Sequence, residues 1–473
     1  MKQRIVGRQQ EQKILEKLYS SKSSEFVAVY GRRRVGKTFL VRECLEGKLT
    51  FSVSGLANSN KMSQLENFRS SLLRAGALVP RSFASWQEAF ENLISFLSNS
   101  PRRRKVVFLD ELPWMDTPKS DFISALEGFW NGWASGRHDI LLIVCGSATS
   151  WMMNKLIKNH GGLHNRLTRQ LRLQPFTLAE TNKFLHRKNI NISPYELAVC
   201  YMVFGGIPYY LNLLDASRSL SQNIDSLVFQ QNGELHYEFD NLYASLFRNS
   251  QDYVKIVQAL GMRREGMTRR EIQEAVHFSS GGAFSTLLEN LEHCGFIRQY
   301  FSMGAGRKTH IYQLVDFFTL FYLHFLKDNP RRPTDFWQSI QGTTTFYAWA
   351  GLTFELLVIQ HIEKVKQHLG ILGVQSQEYA CHVQDEMAGK AQIDLLIDRK
   401  DNTISVCEVK FTEGEYVFSH EEEMKLRNRL NAIRSVSPVH KSVQLVFITT
   451  FGIAGGNGRG IVNQEVTLQD LLR

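Results

Sequence analysis

Between residues 31 and 38 the chain runs Gly31-Arg32-Arg33-Arg34-Val35-Gly36-Lys37-Thr38, and few folds can use such a stretch. It satisfies the spacing G-x-x-x-x-G-K-[ST]. The glycines let backbone N–H groups turn inward around a polyphosphate, where a Cβ would collide. Lys37 has the length to reach β and γ phosphates, and the Thr38 hydroxyl suits a Mg²⁺ ligand. The flanks agree: Phe26–Tyr30 is an apolar strand, and Phe39-Leu40-Val41-Arg42 begins a helix whose N-terminus faces an anion. The expected ligands are ATP and Mg²⁺, with Gly31 to Phe39 lining the phosphates.

A second motif completes such a site. Val106-Val107-Phe108-Leu109-Asp110-Glu111 is an apolar strand ending in two carboxylates, the Walker B pattern. Asp110 is expected to hold the magnesium through water, and Glu111 to orient or deprotonate the attacking water. A third apolar run, Leu141 to Cys145, leads into Gly146-Ser147-Ala148-Thr149. Ser147 first, and Thr149 second, are candidates for sensing the γ-phosphate; a plain turn after a buried strand is an equal alternative.

Strands are expected at 26–30, 49–53, 106–109 and 140–145, with helices near 62–73 and 85–97 between them. That alternation implies an α/β fold with a parallel sheet covered on both faces. Residues 176–248 have a helical pattern broken at Gly205-Gly206-Ile207-Pro208. Two prolines and paired arginines at 329–333 suggest a linker. The 473 residues suit several domains. The formal net charge of +10 favours an anionic partner, nucleic acid first, over mere solubility by a modest margin. The six cysteines form no C-x-x-C pair and are expected as buried, reduced thiols. No apolar stretch has signal-peptide or membrane-span length, so a cytoplasmic location without membrane contact is expected.

With Ile5-Val6-Gly7-Arg8 ahead of an amphipathic helix, these motifs together resemble the archaeal-type ATPases of the AAA+ and STAND side of the P-loop fold. The resemblance implies further positions. Val6, Gly7 and Arg8 match the segment that wraps the adenine. Arg166 lies where an arginine finger often stands, with Arg169 and Arg172 as competitors. Gly206-Ile207-Pro208 matches the GxP motif of a helical lid, which makes Pro208 a nucleotide contact.

Residues 253–260, 269–276 and 284–294 fit three helices, the second capped by Thr268 with Glu271 three residues on. Strands at 296–300 and 309–314 follow, joined by a basic turn at 304–308. That order predicts a winged helix, with Arg263, Arg264, Arg269, Arg270, Arg307 and Lys308 as phosphate contacts. The third helix carries Glu289 and Glu292 and no arginine, so protein packing is an equal expectation.

Further on, Ala391 to Asp398 and Ile404 to Phe411 read as a hairpin turning at Arg399 to Thr403. A hairpin centred near Asp401 sets Asp394 opposite Glu408, with Cβ atoms about 5 Å apart. Lys410 shares the face of Glu408. Two carboxylates on one Mg²⁺ beside a lysine suit phosphodiester hydrolysis. The set resembles the PD-(D/E)xK restriction-endonuclease-like superfamily, on its D…ExK positions. That resemblance implies Glu355 as an additional helix-borne metal ligand.

The expected chain is therefore a multidomain α/β protein. Its parts are a P-loop core over 1–175, a helical lid over 176–249, a winged helix over 250–328 and a nuclease-like α/β domain over 334–473. An ATPase whose cycle drives a nuclease on nucleic acid, DNA favoured, is one expectation. A STAND-like switch whose C-terminal segments only bind partners is the other. Assembly into a homo-oligomer is left open by the sequence.

Overall fold

The computed structural model describes residues 5–473 apart from 148, 159–161, 164, 248, 264, 280, 305–306, 329–331, 386–388 and 438. For 149, 302–304, 307–309, 380–385, 389–392, 436 and 457 it describes the backbone alone. Thr149's side chain, Ala148, Arg264, the side chains of Arg307 and Lys308, and residues 329–331 of the expected linker thus lie outside the description. The chain divides into two compact units, the first ending at Pro175 and the second starting at Phe176.

The first unit carries β1 (Glu25–Gly31), β2 (Leu49–Ser54), β3 (Lys105–Asp110), β4 (Ile140–Gly146) and β5 (Arg169–Leu173). All pair in parallel, in the order β2-β3-β4-β1-β5. β3 and β4 are buried at every position, as the unbroken apolar runs of a sheet covered on both faces require. The helices Lys61–Arg74, Trp86–Ser98 and Phe122–Gly132 supply a cluster of rings to the core. Trp86 sits 4.8 Å from Phe122 and 5.6 Å from Phe68, centroid to centroid. Truncating such a buried ring to alanine costs about 3–5 kcal/mol.

β4 lies between β1 and β3. β5 was not legible as a strand, since Arg169-Gln170-Leu171-Arg172-Leu173 has three polar residues in five. It is an edge strand, and only Leu171 and Leu173 are buried. Gly31, where β1 meets β5, has φ +143°, and a Cβ there would lie 2.2 Å from the Leu173 carbonyl oxygen.

The second unit joins helices to a mixed sheet. Its strands are β6 (Met267–Thr268), β7 (Ile297–Gly304), β8 (Arg307–Leu314), β9 (Ser376–Asp385), β10 (Gly389–Arg399), β11 (Thr403–Lys410), β12 (Ser442–Thr449) and β13 (Gln464–Thr467). They form one eight-stranded sheet in the order β13-β12-β11-β10-β9-β7-β8-β6. The helices Ser250–Gly261, Arg269–Ala275 and Gly282–His293 precede the β7–β8 hairpin, and Thr268 caps the second of them in a capping box with Glu271. The hairpin and the C-terminal strands, expected as separate domains, meet through parallel pairing of β7 with β9 at Ser302–Ala380 and Met303–Cys381.

The stretch that follows the expected linker is anchored in the second unit. Its helix Phe336–Ile340 places Trp337 fully inside, and the Trp337 N–H donates to Asp225 Oδ1 at 2.7 Å. Trp337 and Trp349 meet edge to face at 5.4 Å. Gly206 of the G-I-P stretch has φ +64°, and a Cβ there would lie 2.3 Å from the Phe176 carbonyl oxygen. The glycine thus serves close backbone approach, while Pro208 opens the helix Pro208–Asn212.

Buried His361 links two helices of this unit. Its Nε2 accepts the Leu178 N–H at 2.9 Å, so its Nδ1 is the protonated nitrogen and donates to the Leu357 carbonyl at 2.8 Å. Burial lowers its pKa below the ordinary histidine value, outweighing the bond to Leu357. The neutral form is therefore favoured in the fold. The stabilisation is present above the unfolded-state pKa of about 6.5 and is lost as pH falls below it towards the folded value. Urea melts from pH 8 to 5 should show falling stability across that window, and His361→Gln should flatten the decline.

Candidate functional site

β1 ends at Gly31, and the chain returns into the helix Lys37–Cys44 through Gly36, whose φ is +87°. Arg34 is also left-handed, with φ 71°. A Cβ at Gly36 would meet nothing within 4 Å, so the space before the helix N-terminus is open to a ligand. Buried Lys37 lies over the loop, its Nζ donating to the carbonyl oxygens of Gly31 at 3.1 Å and Arg32 at 2.9 Å. The two glycines thus differ in purpose: Gly31 is demanded by β5, Gly36 by the turn.

Thr38 and Asp110 come together across the gap that β4 fills. The Thr38 hydroxyl lies 3.0 Å from both Asp110 oxygens. Ser54 Oγ, at the end of β2, donates to Asp110 Oδ2 at 3.2 Å, and the Glu111 N–H donates to Oδ1 at 3.1 Å. Hydroxyl and carboxylate oxygens in this set are the hard donors that Mg²⁺ takes, so Thr38 and Asp110 fit that ion. Ser54 was missed in the sequence; its only signal was a polar residue closing a strand next to β3.

Glu111 leaves β3 in a left-handed conformation, φ 47°. Its carboxylate accepts from Ser147 twice, from Oγ at 2.8 Å and from the backbone N–H at 3.2 Å, both to Oε2. Ser147, just past β4, is therefore joined to the candidate base. The buried Cys145 beside them has its thiol pushed well up by burial, so it stays protonated.

Other predicted contacts have different surroundings. Arg8, itself left-handed at φ 56°, donates to the Gln174 carbonyl and faces Glu11 at 3.9 Å, while the Gly7 carbonyl accepts from Gln12. Val6 and Gly7 are partly buried. Arg32 and Val35 are buried, Arg33 and Arg34 partly so, and Phe39 is exposed. Arg166, the expected finger, is exposed and has no side-chain hydrogen bond or ion pair among the described residues. Arg169 and Arg172 are exposed on β5. Pro208 belongs to the second unit. Of the expected phosphate contacts near the hairpin, Arg263 pairs with Glu271 and Arg270 with Glu274, each at 2.8 Å, and Arg269 covers the Phe284 ring.

In the C-terminal strands, β10 and β11 pair with Leu395 opposite Cys407 and Asp398 opposite Ile404. That register, carried one residue further, puts Asp394 opposite Glu408. The carboxylates are engaged separately, however. Asp394 Oδ2 accepts the Val409 N–H at 3.1 Å. Buried Glu408 accepts Arg429 Nη1 at 2.9 and 3.1 Å and lies 2.7 Å from Lys410 Nζ. Glu355 and Asp394 line a cavity of about 260 Å³ shared with Arg298, Tyr300 and Trp349, which Glu408 does not line. Among the described residues no three His, Cys, Asp or Glu side chains are grouped to hold a metal. Arginine and lysine occupy the Glu408 oxygens. Arg429 was missed: from the sequence it is one of several arginines on the helix His420–Val436. Burial acts to lower the Lys410 pKa, but Glu408 and then Asp394 more than offset this and raise it.

Residues 5–214 match the family model described as an ATPase domain predominantly from Archaea. An uncharacterized protein of Methanocaldococcus jannaschii is 25% identical over 327 residues, 69% of each chain. A 44-residue stretch, 9% of this chain, is 42% identical to an ATP-binding protein of the same organism and covers 75% of it. Among solved structures, a Walker-type ATPase of Pyrococcus abyssi aligns with a TM-score of 0.47 at 17% identity, covering 68% of this chain and 96% of its own. The Aeropyrum pernix ORC2 protein, in ADPNP–ADP complexes, aligns with a TM-score of 0.44 at 11% identity, covering 76% and 96%.

Thr38→Val removes the hydroxyl shared with Asp110 at nearly constant volume. It should weaken Mg²⁺-dependent ATP binding by about tenfold or more, with little effect on binding in EDTA. Calorimetric titration with and without Mg²⁺ checks this.

Proposed function

We propose that this chain binds ATP with Mg²⁺ at Gly31 to Thr38 and hydrolyses it, and that its nucleotide state governs a nucleic-acid-associated C-terminal segment. The observation carrying this reading is the chain of contacts Thr38–Asp110–Glu111–Ser147, which links a phosphate loop to a candidate base. The match of residues 5–214 to an ATPase domain supports the same reading.

In this mechanism the inward N–H groups of the loop and Lys37 hold the phosphate chain. Thr38 and Asp110 would hold Mg²⁺, which when bound neutralises charge on the transferring phosphoryl group. Glu111 takes a proton from the attacking water. Ser147 fixes the Glu111 carboxylate and, through the same hydroxyl, links its position to the γ-phosphate. Arg166 belongs to the proposal as a finger presented to a second copy of the chain, because it is exposed and has no side-chain partner among the described residues. Residues 176–249 serve as helical lid with Pro208, 250–328 as winged helix and 334–473 as a nuclease-like fold. The favoured partner is DNA and the favoured location the cytoplasm.

A second reading has its own observation. Glu408 is held by Arg429 and Lys410, which favours C-terminal segments that bind without cutting, under a STAND-like switch.

Lys37→Ala should abolish ATP binding in a filter or calorimetric assay. Glu111→Gln should keep ATP binding and lower turnover by about 10²–10⁴-fold, the contribution of a positioned base; unchanged turnover assigns the water to another residue. Incubating the parent protein with ATP, Mg²⁺ and a panel of DNA and RNA separates the two readings. Cleavage that Glu408→Ala abolishes selects the nuclease, and no cleavage of any substrate selects the switch.

A further inference from the structure

The hairpin β7–β8, the helix Thr344–Gln360 and β10 all contribute to the wall of a cavity of about 260 Å³. That is just below the roughly 300–1,000 Å³ of sites for drug-sized ligands, so it suits a smaller molecule. Much of the wall is apolar: Leu260, Leu314, Trp349, Leu356 and Ile393 line it and are buried. Arg298 of β7 lines the same space. Its Nε donates to Gln313 Oε1 at 2.8 Å, and its guanidinium lies 5.0 Å from the centre of the Tyr300 ring. Among the described residues no carboxylate forms an ion pair with it. Burial lowers its pKa to about 10, against Tyr300 and Glu378, which favour the charged form, so it stays a cation at neutral pH. A cation withdrawn from water without a counter-ion is costly. The buried indole N–H of Trp349 likewise has no acceptor among the described residues.

Negative charge stands elsewhere on the same wall, at Glu355 and Asp394. β9 lies between β10 and β7, and the pairs Met303–Cys381 and Ile393–Cys381 put Ile393 level with Met303. Asp394 is therefore two strand spacings from β7, about 10 Å, and Arg298 precedes Met303 by roughly 16 Å of strand. The cation and the carboxylates thus occupy different parts of the cavity. An anion bound at Arg298 alone would share the space with two carboxylates, and a cation bound at the carboxylates alone would leave Arg298 uncompensated. Two further charges line the cavity from exposed positions, Glu265 and Arg263, and Arg263 is paired with Glu271. We infer that the cavity binds an extended zwitterion, a small ω-amino acid. Its carboxylate meets the Arg298 guanidinium, its ammonium meets Glu355 and Asp394, and its methylene chain lies along Trp349 and Leu356. The guanidinium fork matches a carboxylate in two parallel hydrogen bonds, and the apolar wall excludes water from the chain between the charges. This site is independent of the phosphate loop and of whether the C-terminal segment cuts or only binds.

The probe is ε-aminohexanoate, titrated calorimetrically into the full chain in EDTA and without nucleotide, beside hexanoate, hexylamine and glycine. It should bind about tenfold or more tighter than hexanoate or hexylamine, each of which lacks one charged partner. Glycine, too short to meet both ends, should give no measurable binding. Arg298→Gln should weaken ε-aminohexanoate and hexanoate about tenfold and spare hexylamine. Glu355→Gln should weaken ε-aminohexanoate and hexylamine and tighten hexanoate. Leu352→Trp, at a wall position that is 37% exposed, fills the cavity without changing a charge and should abolish binding of every probe. Circular-dichroism melts without ligand show which variants keep the fold, and Arg298→Lys, which keeps the charge and loses the fork, replaces Arg298→Gln if that variant does not. Three results overturn the proposal: no heat from ε-aminohexanoate at millimolar concentration, hexanoate or hexylamine binding as tightly as ε-aminohexanoate, or binding that survives Leu352→Trp. Because nucleotide, metal and nucleic acid are absent, failure of the ATPase or nuclease reading leaves these outcomes unchanged.

Discussion

The Thr38 hydroxyl, on the helix that follows β1, meets the Asp110 carboxylate at the end of β3 at 3.0 Å, although β1 and β3 are not adjacent. Everything in the first unit is arranged around that contact. β4 lies between β1 and β3 and ends at Gly146, one residue before Ser147. The insertion spaces the two carboxylate-bearing and phosphate-binding ends apart and supplies a polar group to the gap. The contact also explains the burial of Asp110: three donors converge on it, so a charge inside the protein is compensated by hydrogen bonds rather than by solvent.

Much of this unit was legible because its signals are local. The loop Gly31 to Thr38 has a spacing that few alternatives explain, and four strands appear as apolar runs of nearly the observed length. What escaped depended on neighbours. β5 is held by pairing to β1, and no run of apolar residues announces it. Ser54 acts on Asp110 only because β2 flanks β3.

The C-terminal half shows a sharper version of the same limit. The hairpin register followed from turn position, and Leu395 does face Cys407. The chemistry of Glu408 did not follow, because it is decided by a helix residue 21 positions later in the chain. A motif of the form E-x-K states which charges are near each other along one strand. It leaves unstated what a packed helix brings to them.

The pairing of β7 with β9 matters beyond the continuity of the sheet. A strand at a sheet edge presents unpaired N–H and C=O groups, a template for any other chain. Here the hairpin and the C-terminal strands each cover the other's edge. Cutting the chain between residues 314 and 376 would create two fragments, each with a bare template, prone to pair with copies of themselves. The two segments thus shield part of each other's edge.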